Sequence, residues 1–289
     1  MVRKASKNFS SKKTSRNINE VFPPKSFIIV EKLNFITSRY FERYDEKQPI
    51  SLTKHFNKIK TIGQNSQNFD FYFSNSAVYS SMIEGNIIDF DSYLKYSHSE
   101  MNNSGKSFRE IEDLKMAYNY AKEHQLSLRN LLECHKILSN TIVEDTNYQG
   151  IIRNKDVFVF ANGKKRYTGA SKDAVKAEMD KLFEDIDILL SEELSIDQVF
   201  YFAAMLHLVF VQIHPFADGN GRCSRLIEKW FLAAKLGLDA WFIQSEKLYQ
   251  NRIASYYKNV YLGDNYDTID YDYSIPFLLM LPMALNLKV

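Results

Sequence analysis

Twelve consecutive residues, His214-Pro-Phe-Ala-Asp-Gly-Asn-Gly-Arg-Cys-Ser-Arg225, concentrate more chemistry than any other stretch of the chain. They hold a proton acceptor, a carboxylate, a Gly-Asn-Gly turn and two guanidinium groups, the set that nucleotide transfer calls for. His214, with an ordinary pKa of about 6.5, can accept a proton from a hydroxyl around pH 7. Gly219 and Gly221 let backbone N–H groups close on an anion, and a helix opening there adds about half a positive charge. Arg222 and Arg225 project from one helical face, where planar guanidinium groups pair with phosphate oxygens. Asp218 is a hard oxygen ligand beside those phosphates and suits Mg²⁺. Zinc fits less well, because no Cys or Glu stands at ligand spacing between His207 and His214. His207 reads instead as a hydrogen-bonded core histidine. A surface turn with two arginine ion pairs would account for any two of these features, but hardly for all of them in order.

Such a motif needs elements that aim it. The residues before it, from Ser195 to about Ile213, are apolar nearly all round, which predicts a helix at the centre of the fold. Ser195 and Gln198 form a capping box at its start. Arg222 begins the next helix, with Leu226, Trp230, Phe231 and Ala234 on it and Gly237 as its stop. Helices are also expected from Ser26 through Phe41, from Phe71 to Asn86, from a capping box at Ser107 and Glu110 to about His124, and from Ser127 to about Ser139. Another starts at Ser171 and buries Val175, Met179, Leu182, Phe183, Ile186, Leu189 and Leu190. A last long helix runs from about Ser245 to Tyr261, and the acidic stretch Asp264 to Asp272 reads as a solvated loop. The texture changes between Gly150 and Thr168: Val157-Phe-Val-Phe160, then Asn162-Gly163, then Lys164 to Tyr167 make a hairpin signal. A lone hairpin in a helical protein is either a lid or docking edge or a plain surface excursion. The expected fold class is therefore all-α, a helical bundle with one small β-hairpin.

The bulk numbers agree. The chain has 289 residues, 45% hydrophobic and 25% charged, an ordinary soluble composition. With 18 Tyr and 21 Phe, aromatic packing should dominate the core, and 10 Gly and 6 Pro argue against an all-β protein. A net charge of +2 argues against general nucleic-acid binding. Residues 1–20 are basic and polar and read as a mobile tail. Cys134 and Cys223 read as small core hydrophobes of a reducing, cytoplasmic setting. No membrane contact is expected: the longest apolar run, Val199 to Ile213, is interrupted by His207 and Gln212, and Met-Val-Arg-Lys lacks the core of a signal peptide.

The motif resembles the signature of the Fic family, His-x-Phe-x-(Asp/Glu)-Gly-Asn-Gly-Arg-x-x-Arg, at every specified position, Phe216 included. The resemblance extends over about residues 70–262. It implies a helical Fic-type bundle and an enzyme that moves AMP from ATP, with Mg²⁺, to a Ser, Thr or Tyr hydroxyl of a target protein. It makes His214 the general base and Asp218 the metal ligand. Gly219, Asn220, Gly221 and Arg222 cradle phosphates, Arg225 faces the γ-phosphate, and Phe216 is buried to fix the loop. Val157, Phe158, Val159 and Phe160 fall where the family has its flap, which aligns the target by edge pairing. Tyr249, Asn251, Tyr256 and Tyr257 fall where relatives line the nucleotide pocket, although aromatic core packing explains them equally well. Ser80-Ser-Met-Ile-Glu84-Gly resembles the family's inhibitory motif, with Ser80 and Glu84 on one helix face. In relatives that Glu pairs with the second arginine, here Arg225. The implied layout is a basic tail at 1–20, a helical region with the inhibitory helix at 21–105, a catalytic core at 106–262 and an extension at 263–289.

Other readings stay open on these residues. The phosphate loop cannot choose the base, so another nucleotide donor such as UTP or GTP fits equally. Glu84 could support removal of the modification as well as restraint. A phosphotransferase of the Doc type fits less well, since Gly221 stands where that type typically has Lys. A non-catalytic nucleotide-sensing or DNA-associated regulator using the basic tail is opposed by the intact His214 and Asp218. A homodimer is also compatible with the sequence.

Overall fold

The element at the centre is the one whose sequence has no polar face. Helix α8 (Ile196–Ile213) buries residues on every side, and its start is closed by the expected capping box. The Gln198 N–H donates to Ser195 Oγ at 3.2 Å and the Ser195 N–H to Gln198 Oε1 at 2.9 Å. A helix this long and apolar satisfies the length and composition of a membrane span, yet most of it is buried by the rest of this fold.

The computed structural model describes residues 33–66, 69–97, 105–161 and 163–287. Around α8 lie α1 (Phe41–Glu46), α2 (Leu52–Ser66), α3 (Phe69–Ile83), α4 (Phe90–Ser97), α5 (Lys106–Glu123), α6 (Leu128–Leu138), α7 (Val175–Ser191) and α9 (Asn220–Leu236), followed by α10 (Ser245–Asn251), α11 (Ile253–Val260), α12 (Ile275–Leu278) and α13 (Met280–Met283). Strands β1 (Phe158–Ala161) and β2 (Lys164–Thr168) form an antiparallel pair. The protein is thus helical with a single hairpin among the described residues, as the sequence predicts.

Helix α9 lies along α8 and ends at Gly237, whose φ of 88° with ψ −179° is a backbone state that glycine permits. Near that end Lys235 reaches across to three carbonyl oxygens of a different helix end, those of Leu189, Leu190 and Glu192 in and after α7. It satisfies acceptors that α7 cannot satisfy itself. The apolar face expected on α7 is buried from Val175 to Leu189, with Leu190 half-buried. Helix α6 begins where the sequence predicts a helix start, and the Ser127 side chain caps it by accepting the Asn130 N–H.

Tertiary contacts override the sequence pattern in three places. Residues 33–40 are not helical, because the Asp185 carboxylate accepts the N–H groups of Asn34, Phe35 and Ile36. The earlier part of that expected helix, and the tail at 1–20, lie outside the described residues. Ser107 does not cap α5; Gly105 does, and Asn86 Nδ2 instead donates to the Ser107 carbonyl and Glu110 Oε2. The expected helix from Ser245 to Tyr261 is interrupted at Arg252, at φ −122° and ψ 36°. The break lets α10 lie on α3 while α11 lies on α12.

The acidic stretch is ordered into two 3-10 turns, capped by the side chains of Asn265 and Asp270. It braces the hairpin: the Thr168 N–H donates to the Asp264 carbonyl, and Tyr266 Oη donates to Glu178 on α7. Beyond it, Ile275, Phe277, Leu278, Met280 and Leu281 join the same hydrophobic core as α8.

Candidate active site

The loop between α8 and α9 is where the motif's chemistry gathers. His214 ends α8 in the left-handed region (φ 56°, ψ 58°), the one non-glycine residue with positive φ among the described residues. Its Nδ1–H donates to the Val211 carbonyl at 3.1 Å, which leaves the Nε2 lone pair toward the cavity that the ring lines. Burial holds its pKa below the ordinary histidine range. Arg153 pushes in the same direction, while Glu84 and Asp218 pull against it.

Three bonds shape the loop. Asn220 spends its side chain on the loop itself, accepting from the Phe216 N–H at 2.8 Å and donating to the Phe216 carbonyl at 2.9 Å. Only its backbone at the start of α9 is left for a phosphate. Phe216 is fully buried, as expected, and stacks on the His135 ring at 3.6 Å between centroids. His135 accepts the Gly150 N–H at Nδ1, so its Nε2–H donates to the Asp218 carbonyl at 3.0 Å. Burial lowers the His135 pKa to about 4. It is therefore a neutral strut under the loop.

Gly219 caps α9 at φ 80°, and Gly221 lies in the first turn. A Cβ on Gly221 would run into Glu84 Oε1 and crowd Arg225. The carboxylate of Glu84 thus already occupies the place where the helix N-terminus would hold an anion. Arg225 Nη2 donates to Glu84 Oε1 at 2.6 Å and to the Ser80 carbonyl at 3.1 Å, and its Nε donates to Ser80 Oγ at 2.8 Å. Burial raises the Glu84 pKa, but Arg225, Arg222 and His214 together outweigh it and bring it below the usual carboxylate value. Helix α3 is fixed along α9 by further buried polar contacts. Lys229 donates to Ser76 Oγ and to Glu246 Oε2, and Tyr118 Oη donates to Glu246 Oε1. Ser76, Ser80 and Glu84 therefore form a polar ladder of successive turns against Lys229 and Arg225.

Arg222 faces Glu110 at 3.5 Å, and its Nε has no hydrogen-bond partner although buried. An orphaned buried donor in the first turn of α9 is left to take an acceptor. Asp218 is exposed, with Oδ1 accepting the Gly219 N–H. Among the described residues no cluster of three metal-ligating side chains surrounds it. That donor set fits a cation that takes one carboxylate from the protein and the rest of its shell from phosphate and water, as Mg²⁺ does.

The cavity beside these groups measures about 730 Å³. His214, Glu84 and Gly221 line one side, Val159, Phe160, Arg166 and Tyr167 of the hairpin another, and Tyr256, Tyr257, Lys258 and Tyr261 a third. Phe158 is 47% and Phe160 63% exposed, while Val157 precedes β1. A bulge between Val159 and Phe160 breaks the register.

The aromatic positions divide. Tyr257 lines the cavity and donates to the Ile83 carbonyl at 2.6 Å, one residue before Glu84. Tyr256 bridges, accepting from Arg225 Nη1 at 3.2 Å and contacting His207 Nε2 at 3.0 Å. Tyr249 does not line the cavity: it is fully buried and donates to Glu228, which also holds His207. Asn251 is exposed at the end of α10, away from the cavity lining. Tyr249 thus packs behind Tyr256, which lines the cavity. His207 is the hydrogen-bonded core histidine expected.

Sequence reasoning missed His135, Arg153 and Gly169. Arg153 Nε donates to the His214 carbonyl at 2.7 Å from a side chain that is 3% exposed. A Cβ on Gly169 would lie 2.9 Å from His214 Cβ. A lone His in α6 and a lone Arg before the hairpin carry no local signal of such roles.

Comparison with known proteins agrees with this geometry. The model of the Fic/DOC family matches residues 125–232. The chain is 34% identical over 157 residues to protein adenylyltransferase fic-1 of Caenorhabditis elegans, covering 50% of this chain and 28% of that one. It is 27% identical over 207 residues to protein adenylyltransferase Fic of Drosophila virilis, covering 66% and 40%. The chain thus spans less than half the length of these curated relatives. Among solved structures, a Fic family protein from Desulfovibrio desulfuricans G20 matches with a TM-score of 0.66 at 20% identity, covering 81% of this chain and 70% of that one. Fic-1 (aa134 - 508) from C. elegans matches at 0.59 and 19%, covering 86% and 71%. The fold, the motif and the matched segment agree: residues 125–232 match the Fic/DOC family, and the fold is similar to that of solved Fic proteins.

Proposed function

We propose that the chain is an Mg²⁺-dependent protein adenylyltransferase that moves AMP from ATP to a Ser, Thr or Tyr hydroxyl of a target protein, held in check by Glu84. The observation that carries this reading is one cavity onto which the His214 Nε2, the N-terminus of α9 and the hairpin all open. The curated relatives named protein adenylyltransferase support it. Two free buried thiols, Cys134 and Cys223, are consistent with a reducing, cytoplasmic setting.

On this reading His214 Nε2 takes the proton of the target hydroxyl. The hydroxyl oxygen forms a bond to the α-phosphorus, the bond from that phosphorus to the β-bridging oxygen breaks, and pyrophosphate leaves with the electron pair. Lowered basicity keeps His214 neutral, and thus able to accept the proton, at a pH below the usual histidine range. The Gly219–Gly221 backbone and Arg222 hold phosphate oxygens, with most of the gain coming from donors that are already in place. Mg²⁺, held by Asp218, would neutralise charge on the phosphates.

Glu84 competes with the triphosphate for Arg225. A charge-assisted hydrogen bond contributes about 1.5–3 kcal/mol, equivalent to about 10- to 150-fold in occupancy. Glu84→Gly is therefore expected to raise transfer by a factor of that order. The test is incubation of both proteins with each labelled nucleoside triphosphate and Mg²⁺, with mass spectrometry of the acceptor. Equal labelling by the two proteins removes the inhibitory role, and preferential transfer from UTP or GTP replaces ATP as donor.

A further inference from the structure

The residue that reaches furthest into the proposed chemistry without belonging to the motif is Arg153. Its guanidinium is buried, and among the described residues it has no carboxylate partner within ion-pair distance. A buried charge of that kind is costly unless its donors are used. Four of its hydrogen bonds go to main-chain carbonyls: Nε to His214 at 2.7 Å, Nη1 to Lys155 at 2.8 Å, and Nη2 to Ile213 at 3.3 Å and to Ala170. Its own N–H donates to the Pro215 carbonyl at 2.9 Å.

These acceptors fall into two groups. Ile213, His214 and Pro215 are the turn that carries the imidazole. Lys155 and Ala170 are the two feet of the hairpin, one before β1 and one after β2. The turn needs such a clasp. A non-glycine residue in the left-handed region carries strain of about 1–3 kcal/mol, which persists only where its surroundings over-determine it. The hairpin also presses on the turn directly. Gly169, just past β2, leaves only enough room that a Cβ there would lie 3.1 Å from Arg153 Nη2 and 2.9 Å from His214 Cβ.

We infer that Arg153 is the positioning residue that joins the flap to the catalytic base, so that a hydroxyl laid along the flap and the imidazole that deprotonates it keep a fixed spacing. The inference rests on the reading of His214 as base. A planar fork with five donors can span two separate backbone segments, whereas the compact ammonium of lysine cannot.

The experiment uses the full chain in the Glu84→Gly background and compares Arg153→Lys, Arg153→Met and Gly169→Ala. Transfer is read as kcat and as KM for ATP, ATP affinity by equilibrium titration, and the flap by hydrogen exchange at the amides of residues 158–168. A displacement of the imidazole by about 1 Å is expected to lower kcat about 100-fold, with ATP affinity unchanged and flap exchange faster. Arg153→Lys should not rescue. Gly169→Ala disturbs the same junction without removing the buried charge, so it decides the matter should the Arg153 variants not fold. Parent-like kcat in Arg153→Lys or Gly169→Ala, or loss of ATP affinity in step with kcat, overturns the inference. Should Glu84→Gly itself transfer nothing, the assigned chemistry fails. Flap exchange still decides the clasp, since acceleration supports it and unchanged exchange overturns it.

Discussion

The loop between α8 and α9, proposed to bind phosphate, and the hairpin open on the same cavity but are built on opposite plans. Phe216, Asn220, Arg222 and Arg225 are all buried, and the loop is closed from three sides by Asn220, His135 and Ser80. The hairpin has two short strands, a bulge, and aromatic side chains turned to solvent. Holding phosphates works through donors that do not have to move when charge arrives, so that wall has to be rigid. Receiving a stretch of another polypeptide works through an open strand edge and shallow side-chain contacts, so that wall can stay exposed.

The contrast can be broken or sharpened by experiment. The largest effect is expected on the rigid wall: His214→Ala should lower transfer by about 100- to 10,000-fold, the range typical of a general base. ATP affinity, measured by titration, should stay near that of the parent. Labelling that survives in this variant rejects His214 as the base.

A second effect concerns the strut beneath the loop. The folded-state pKa of His135, about 4, lies below the ordinary value of about 6.5. The unfolded chain therefore takes up this proton first. The residue's contribution is fully present above about pH 6.5 and declines as the pH drops toward about 4, by about 3 kcal/mol in all. Below that value both states are protonated and the loss stops. Denaturant midpoints measured across this window should fall more steeply in the parent than in His135→Gln. Parallel curves would show that His135 is not held neutral.

The smallest effect is expected at the open wall. Phe160→Ser removes an exposed ring and should raise KM for a protein acceptor about fivefold, the equivalent of about 1 kcal/mol of lost apolar contact. The kcat and ATP affinity should not change. If ATP affinity falls instead, the ring serves the nucleotide and the division between the walls is wrong.

The same contrast explains what the sequence disclosed. The motif was legible because His214, Asp218, Gly221, Arg222 and Arg225 act within one turn of chain, so their types and spacing are the signal. The pairing of Glu84 with Arg225 was legible through the resemblance, and the hairpin through its Asn-Gly turn. Arg153 and His135 were not legible, because they act on Ile213–Pro215 and Asp218 across long stretches of chain, and a single Arg or His carries no periodicity. Tyr249 and Asn251 were misplaced for a related reason. Both were placed by the resemblance alone, which does not say which side chain of a helix lines the pocket: Tyr249 packs behind it and Asn251 is exposed. Residues 33–40 and the break at Arg252 follow from long-range contacts that local propensity does not contain.

Gly221 carries an obligation to two clients at once. Because a methyl group there would contend with the Glu84 carboxylate for one space, any side chain at 221 would evict the acid at the same moment as it narrowed the phosphate cradle. On the proposed function a change at 221 therefore strikes the restraint and the cradle together, whereas a change at 84 reaches the restraint alone.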